Sequence, residues 1–165
     1  MMREGINIFE EDYYAITDAL NRLLQSTNGR AVLLIDKAGQ LITSVGDTAD
    51  LDISSFATLS AADFAATSQL ASLIGEKEFS TLFHQGEKEN LYVCVIANRV
   101  ILVVIFDQRT NLGLVRVRTR SIAAELEKIF EDIFNKVERE FTPSKEIDTD
   151  FTRAAEEELD KLFGF

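Results

Sequence analysis

Few residues of this chain are able to do chemistry. A single histidine, His84, and a single cysteine, Cys94, fall on predicted neighbouring strands, where they would be close enough to form a nucleophile–base pair. Cys94 stands among aliphatic neighbours, however, as a small buried side chain does, and we favour this second interpretation. One histidine and one cysteine are also a poor ligand set for zinc, and neither common glycine-rich phosphate motif occurs. We therefore expect no metal and no cofactor.

Two carboxylates and one arginine follow predicted strands. Asp36 and Asp107 occupy positions where catalytic carboxylates often lie, but the same positions suit turns, which we favour. Arg109 is a loop arginine that an activator of a GTPase would be able to donate as an arginine finger. The alternative is an arginine that is solvated or paired with Asp107, and we favour this alternative over the arginine finger. The sequence thus predicts a protein that is not an enzyme.

Length and charge limit the classes of protein and of partner that remain. The 165 residues suffice for one domain and a tail. Because 17 basic residues stand against 28 acidic ones, nucleic acid is a poor partner. The first residues lack the apolar core of a signal peptide, and the longest apolar run, 100–106, is too short to span a bilayer. We expect a cytoplasmic protein with no membrane partner.

Hydrophobic periodicity predicts an α+β fold. The elements in chain order are a helix that ends near residue 28, strands over 31–35 and 41–45, a helix over 54–73, strands over 78–85, 91–97 and 100–106, and a helix over 110–138. Tight turns between consecutive strands imply antiparallel pairing. The run over 100–106 is apolar on both faces, which places it in the middle of a five-stranded sheet with helices on both sides.

The second helix has two stripes of different size. One stripe, in which large apolar side chains predominate, is predicted to face the core, and its residues are Phe56, Leu59, Ala66, Leu70 and Leu73. Small residues form the other stripe, and they are Ala57, Ala61, Ala65, Ser68 and Ser72. Because small side chains let another surface approach closely and lose little entropy, we predict that this second stripe is an interface. The alternative is that alanine fills surface positions because it favours helix.

The end of the chain is predicted to be separate from the domain. We place the domain over 6–140, a linker around Pro143 over 141–150, and an amphipathic helix over 151–165. The apolar side of that last helix either enters a groove on a partner or packs on its own domain, and these alternatives stay open.

The order of the elements resembles that of the Roadblock/light-chain-seven domain family, which is related to the profilin and longin folds. The resemblance continues through turns and covers residues 8 to 138. The stretches that carry it are VLLIDKAGQLI at 32–42, LIGEKEF at 73–79, FHQG at 83–86 and RVILVVIFD at 99–107.

The resemblance implies a function as well as a fold. Within this family, the similar bacterial members activate a small Ras-like GTPase in cell polarity and motility. They align the catalytic residues of the GTPase and donate no arginine finger. The GTPase-binding residues that it implies are Thr58, Ala62, Ala65, Ala66 and Gln69 on the second helix, and Phe151, Leu159, Leu162 and Phe163 on the terminal helix. Gln69 departs from the family pattern, since a small residue is expected there.

The resemblance also implies a homodimer, with sheets joined edge to edge and the second helices side by side. The residues of that interface are Ala57, Ala61, Ser68, Ser72, Phe79, Thr81 and Phe83. The terminal helix resembles an extension through which some members promote nucleotide exchange, and the family implies concentration at a cell pole. The alternative function is a non-catalytic Roadblock scaffold or adaptor, which the sequence does not separate from an activator.

Overall fold

The computed structural model describes residues 10–141, 153 and 157–162. The elements are α1 Glu10–Thr27, β1 Ala31–Asp36, β2 Leu41–Gly46, α2 Ile53–Leu73, β3 Thr81–Gln85, β4 Asn90–Ile96, β5 Val100–Phe106 and α3 Leu112–Phe141. The predicted order of elements is confirmed, with β3 beginning at Thr81 and not at residue 78.

Packing divides the chain after Ile133 into two units. The first unit contains the sheet, α1, α2 and most of α3. The second contains the end of α3 and the helical residues 153 and 157–162, which fall within the predicted terminal helix. The predicted linker from residue 142 onward, together with Phe151 and Phe163, lies outside the described residues.

The strands form one antiparallel sheet in the order β2-β1-β5-β4-β3. β5 occupies the centre, and all of its residues are buried. Val103 of β5 pairs with Leu33 of β1 on one side and with Val93 of β4 on the other. An aliphatic strand that is covered on both faces belongs in this position, so the prediction for residues 100–106 is confirmed.

Helices cover both faces of the sheet. α2 packs on the face that carries Leu33, Val93 and Val103. α1 lies on the opposite face, where the hydroxyl oxygens of Tyr13 and Thr43 are 3.4 Å apart. This arrangement places the whole aliphatic surface of the central strands out of water, which is the main source of stability in such a domain.

A branched ion pair joins α1 to α3. The Arg22 guanidinium donates to both carboxylate oxygens of Glu125, with an Nη1–Oε2 distance of 2.9 Å, and to Asp18 at 3.0 Å. The fork geometry suits a carboxylate. The hydrogen bond from Arg22 lowers the pKa of Glu125, so this carboxylate stays ionised.

Local signals determine where α2 begins and ends. Asp52 caps the first turn because its carboxylate accepts from the backbone N–H of Ser55 at 3.2 Å and from its hydroxyl at 2.8 Å, which lowers the pKa of Asp52. At the other end, the N–H of Glu76 donates to the carbonyl of Ala71 at 2.9 Å, and Gly75 has φ +83°. This is a Schellman motif, in which glycine takes the left-handed conformation at low cost.

The inward face of α2 differs from the predicted one. Leu59, Leu70 and Leu73 are exposed by 68%, 58% and 82%, so their assignment to the core is wrong. Ala66 is also exposed, and Phe56 is half-buried. The buried residues of α2 are Ala57, Ala61, Phe64 and Ala71. The small side chains of Ala57 and Ala61 let the helix backbone lie close to the aliphatic sheet, and Phe64 fills the remaining space.

Two alanines on opposite sides of α2 provide a test of this arrangement. We expect Ala57→Leu to lower the free energy of unfolding by about 1 to 3 kcal/mol, because Ala57 is 1% exposed and the added atoms overpack the core. Ala62→Leu makes the same chemical change at an exposed position, and we expect an effect within about 0.5 kcal/mol. Urea unfolding at one protein concentration measures both. Equal losses would contradict the observed orientation of α2.

Candidate protein interaction face

The side of α2 that points away from the sheet carries no charge. Its exposed residues, which we call the α2 outer face, are Thr58, Leu59, Ala62, Ala65, Ala66, Gln69, Leu70 and Leu73. Asp63 is the one charged residue in the whole of α2, and it lies half-buried on the flank of the helix. In a chain with a net charge of −11, an uncharged exposed helix face is informative, because a surface that always stays in water normally carries charge.

The α2 outer face is also apolar. Leu59, Leu70 and Leu73 are more than half exposed, and Ile74 follows them with 70% of its surface exposed. Clusters of exposed aliphatic side chains mark surfaces that another molecule covers. The alanines between them let a partner approach the helix closely. This geometry suits the binding of a protein rather than of a small molecule.

The predicted GTPase-binding residues of α2 all lie on this face. Thr58, Ala62, Ala65, Ala66 and Gln69 are exposed. Sequence reasoning placed Thr58, Ala62, Ala65 and Gln69 at the surface, as observed, but it assigned Ala66 both to the core stripe and to the binding surface, and it missed the three leucines beside them. Their spacing of three and four residues is also that of a core stripe, so periodicity alone did not separate the two roles.

The structure places some of the residues predicted for a dimer interface in the core and others at the surface. Ala57 and Ala61 pack in the core of their own domain, so the prediction that the small stripe faces a partner does not hold for these two. Ser68 is half-buried and Ser72 is exposed. At the sheet edge, Phe79 is half-buried just before β3, whereas Thr81 and Phe83 are exposed.

In the part of the chain that the structure describes, β3 is an edge strand that pairs with β4 alone. Phe83 points to the face opposite α2 and stacks on Phe106, with ring centroids 6.1 Å apart. Leu82 points to the other face and packs against the α2 cluster. His84 points to that same side, and its Nε2 lies 2.7 Å from Oδ2 of Asp63. The edge strand and α2 therefore form one continuous surface.

The structure excludes a nucleophile–base pair of Cys94 and His84. Cys94 is opposite Thr81 in the strand register, whereas His84 is opposite Leu91. The two side chains are therefore on opposite faces of the sheet and three positions apart, or about 10 Å along the strand. Burial raises the pKa of Cys94 to about 12, so the reactive thiolate does not form.

The other candidate groups have structural partners. Asp107 accepts hydrogen bonds from the backbone N–H and from Nε of Arg109, both at 3.0 Å, and the arginine lowers the pKa of Asp107. Asp36 accepts from the backbone N–H of Gln40 at 2.9 Å across the β1–β2 turn. The predictions of an Arg109–Asp107 pair and of a turn at Asp36 are confirmed.

Two further searches cover the described residues only. Within 10–141, 153 and 157–162, no three His, Cys, Asp or Glu side chains are grouped as ligands of one metal ion. No helix in those ranges is long and apolar enough to cross a membrane.

Comparison with known proteins identifies the family. The model of the Roadblock/LC7 domain matches residues 16–106, and the chain belongs to this family. Within the family it is similar to MglB of Myxococcus xanthus, with 47% identity over 78% of this chain and 96% of that chain, and a TM-score of 0.74.

More distant structures agree with this assignment. The gliding protein MglB of Thermus thermophilus has 30% identity over 79% of this chain and 99% of that chain, with a TM-score of 0.74. A profilin of Schizosaccharomyces pombe, at 16% identity and a TM-score of 0.53 over 71% of this chain and 97% of that chain, shares the fold alone. Comparison with curated proteins gave no match.

The buried thiol yields a simple prediction. At pH 8, a thiol with a pKa of about 12 is ionised in about one molecule in ten thousand. We expect Cys94 of the native protein not to react with DTNB at this pH, and to react fully once guanidinium chloride unfolds the chain. Rapid reaction of the native protein would contradict the position of Cys94 in the core.

Proposed function

We propose that this chain is a homodimeric activator of a small Ras-like GTPase of the MglA type, which acts in bacterial cell polarity or motility. The observation that carries the proposal is the uncharged, apolar α2 outer face in a chain 47% identical to an MglB. Such a face is suited to cover the switch region of a GTPase without removing any charge of its own from water.

Activation in this proposal is a matter of position. The Arg109 guanidinium already binds the carboxylate of Asp107, so we do not assign it as an arginine finger. A rigid helix that holds the switch segments of a GTPase in place aligns the attacking water and the catalytic residues that the GTPase itself supplies. Alignment of this kind is able to lower the activation free energy of a reaction by roughly 7 to 11 kcal/mol in favourable cases.

The dimer that we propose uses the sheet edge next to α2. β3 has an unpaired edge and contains no Asp, Glu, Lys, Arg or Pro, the residues that usually protect such an edge from pairing. A second copy that pairs through the same edge would bring the two α2 helices side by side. Ser68, Ser72, Phe79, Thr81 and Phe83 are the proposed interface residues.

The terminal helix is a proposed second contact with the GTPase. Leu159 and Leu162 are exposed by 52% and 76% within the helical residues 157–162. An apolar helix side of this kind fits a groove on a partner, and we propose that this contact promotes nucleotide exchange.

A substitution that introduces a charge into the α2 outer face tests the activator proposal. In single-turnover GTP hydrolysis by the cognate GTPase, we expect the wild-type chain to accelerate the reaction. We expect Ala65→Arg to reduce the acceleration at least about tenfold, because it places an unpaired charge in the interface. Ala124→Arg makes the same change at an exposed position of α3 and should have no effect.

The outcomes of this assay separate the two functions. Binding of the GTPase by the wild type without faster hydrolysis would favour the scaffold or adaptor. Absence of both binding and acceleration would contradict the proposed partner.

A second variant tests the proposed mechanism. We expect Arg109→Ala to change the accelerated rate by less than about twofold, because Arg109 binds Asp107 and supplies no charge to the phosphoryl group. An arginine finger contributes roughly a thousandfold or more. The rate at saturating activator distinguishes the two, and a loss of that size would identify Arg109 as catalytic.

A further inference from the structure

The single charge of α2 has a specific partner. Asp63 is half-buried on the flank of the helix, between the exposed Leu59 and Ala66 on one side and the edge strand β3 on the other. Its carboxylate lies 2.7 Å from His84, and their side chains are 42% and 49% exposed. Because an ionised carboxylate only accepts, Nε2 of His84 is the donor.

No other ionisable group on the packed elements competes for this contact. Among the described residues, α2 contributes Asp63 alone, and β3 contributes His84 alone. Leu91 of β4 stands directly opposite His84. The nearest charges in sequence are in the turns at either end of β3, namely Glu76, Lys77, Glu78, Glu87, Lys88 and Glu89.

We propose that His84 masks the charge of Asp63 so that the continuous surface of α2 and β3 can be buried against a second copy of this chain. The inference rests on the proposed dimer, and it assigns His84 as a positioning residue of that interface. The imidazole donates a hydrogen bond to the carboxylate, and this bond replaces one that the carboxylate would otherwise lose with its water on burial.

The symmetry of a homodimer makes this masking important. In a two-fold interface the same patch of each copy faces the other copy. An unmasked Asp63 would therefore lose its water in both copies within one interface. The cost of desolvating an unpaired charge then arises twice and weakens association.

The test compares dimer dissociation constants of the full chain by sedimentation equilibrium. We expect His84→Ala to raise Kd about tenfold, because it leaves the carboxylate without its partner. We expect Asp63→Asn in the His84→Ala background to restore Kd to within about threefold of wild type, since the charge is then gone. Glu127→Gln removes an exposed carboxylate from α3 and serves as the matched control.

The double variant separates masking from a purely mechanical tie. A tie that simply holds β3 to α2 would give a defect that Asp63→Asn does not relieve, and this result would overturn the proposal.

The experiment also separates this inference from the proposed dimer. If the wild-type chain and His84→Ala dimerise with the same Kd, the proposed dimer stands and the role assigned to His84 is overturned. A wild-type chain that stays monomeric at every concentration would overturn both.

Discussion

The structure depends on covering an aliphatic sheet on both faces. β5 is buried along its whole length between β1 and β4, and the faces of these three strands are almost entirely apolar, with Asp36, Asn90 and Tyr92 as the main exceptions. The chain must therefore supply helices on two sides of the sheet. Among the described residues, α2 covers one face, and it lies close because Ala57 and Ala61 provide almost no bulk beneath it.

This close packing has a consequence for the outer surface. With alanines turned inward, the larger aliphatic residues of α2 are left outside, where Leu59, Leu70 and Leu73 are exposed. A monomer gains nothing from such an arrangement, because exposed aliphatic area is unfavourable in water. A protein whose α2 is covered by a partner recovers that free energy on binding. The requirement of the core and the requirement of an interface are thus met by the two sides of one helix.

The proposed function does not require a catalytic side chain from this chain. The thiol of Cys94 is buried and stays protonated, and the ionisable side chains at Asp107 and Arg109 bind each other. What the surface offers is shape, rigidity and freedom from charge. These properties suit the alignment of a GTPase, which brings its own chemistry, and the His84–Asp63 contact keeps the one charge of α2 paired beside that surface.

The sequence by itself determined the order of the elements, the central position of residues 100–106 and the scarcity of catalytic groups, because periodicity and composition are local properties. The tertiary structure decided which side of α2 is inward. Both sides are apolar and uncharged, so the helical period gave two candidate stripes and no means to choose between them. The choice follows from contact with a sheet whose strands are distant from one another in the sequence. The same holds for Asp63 and His84, which are brought together by the pairing of β3 with β4 under α2.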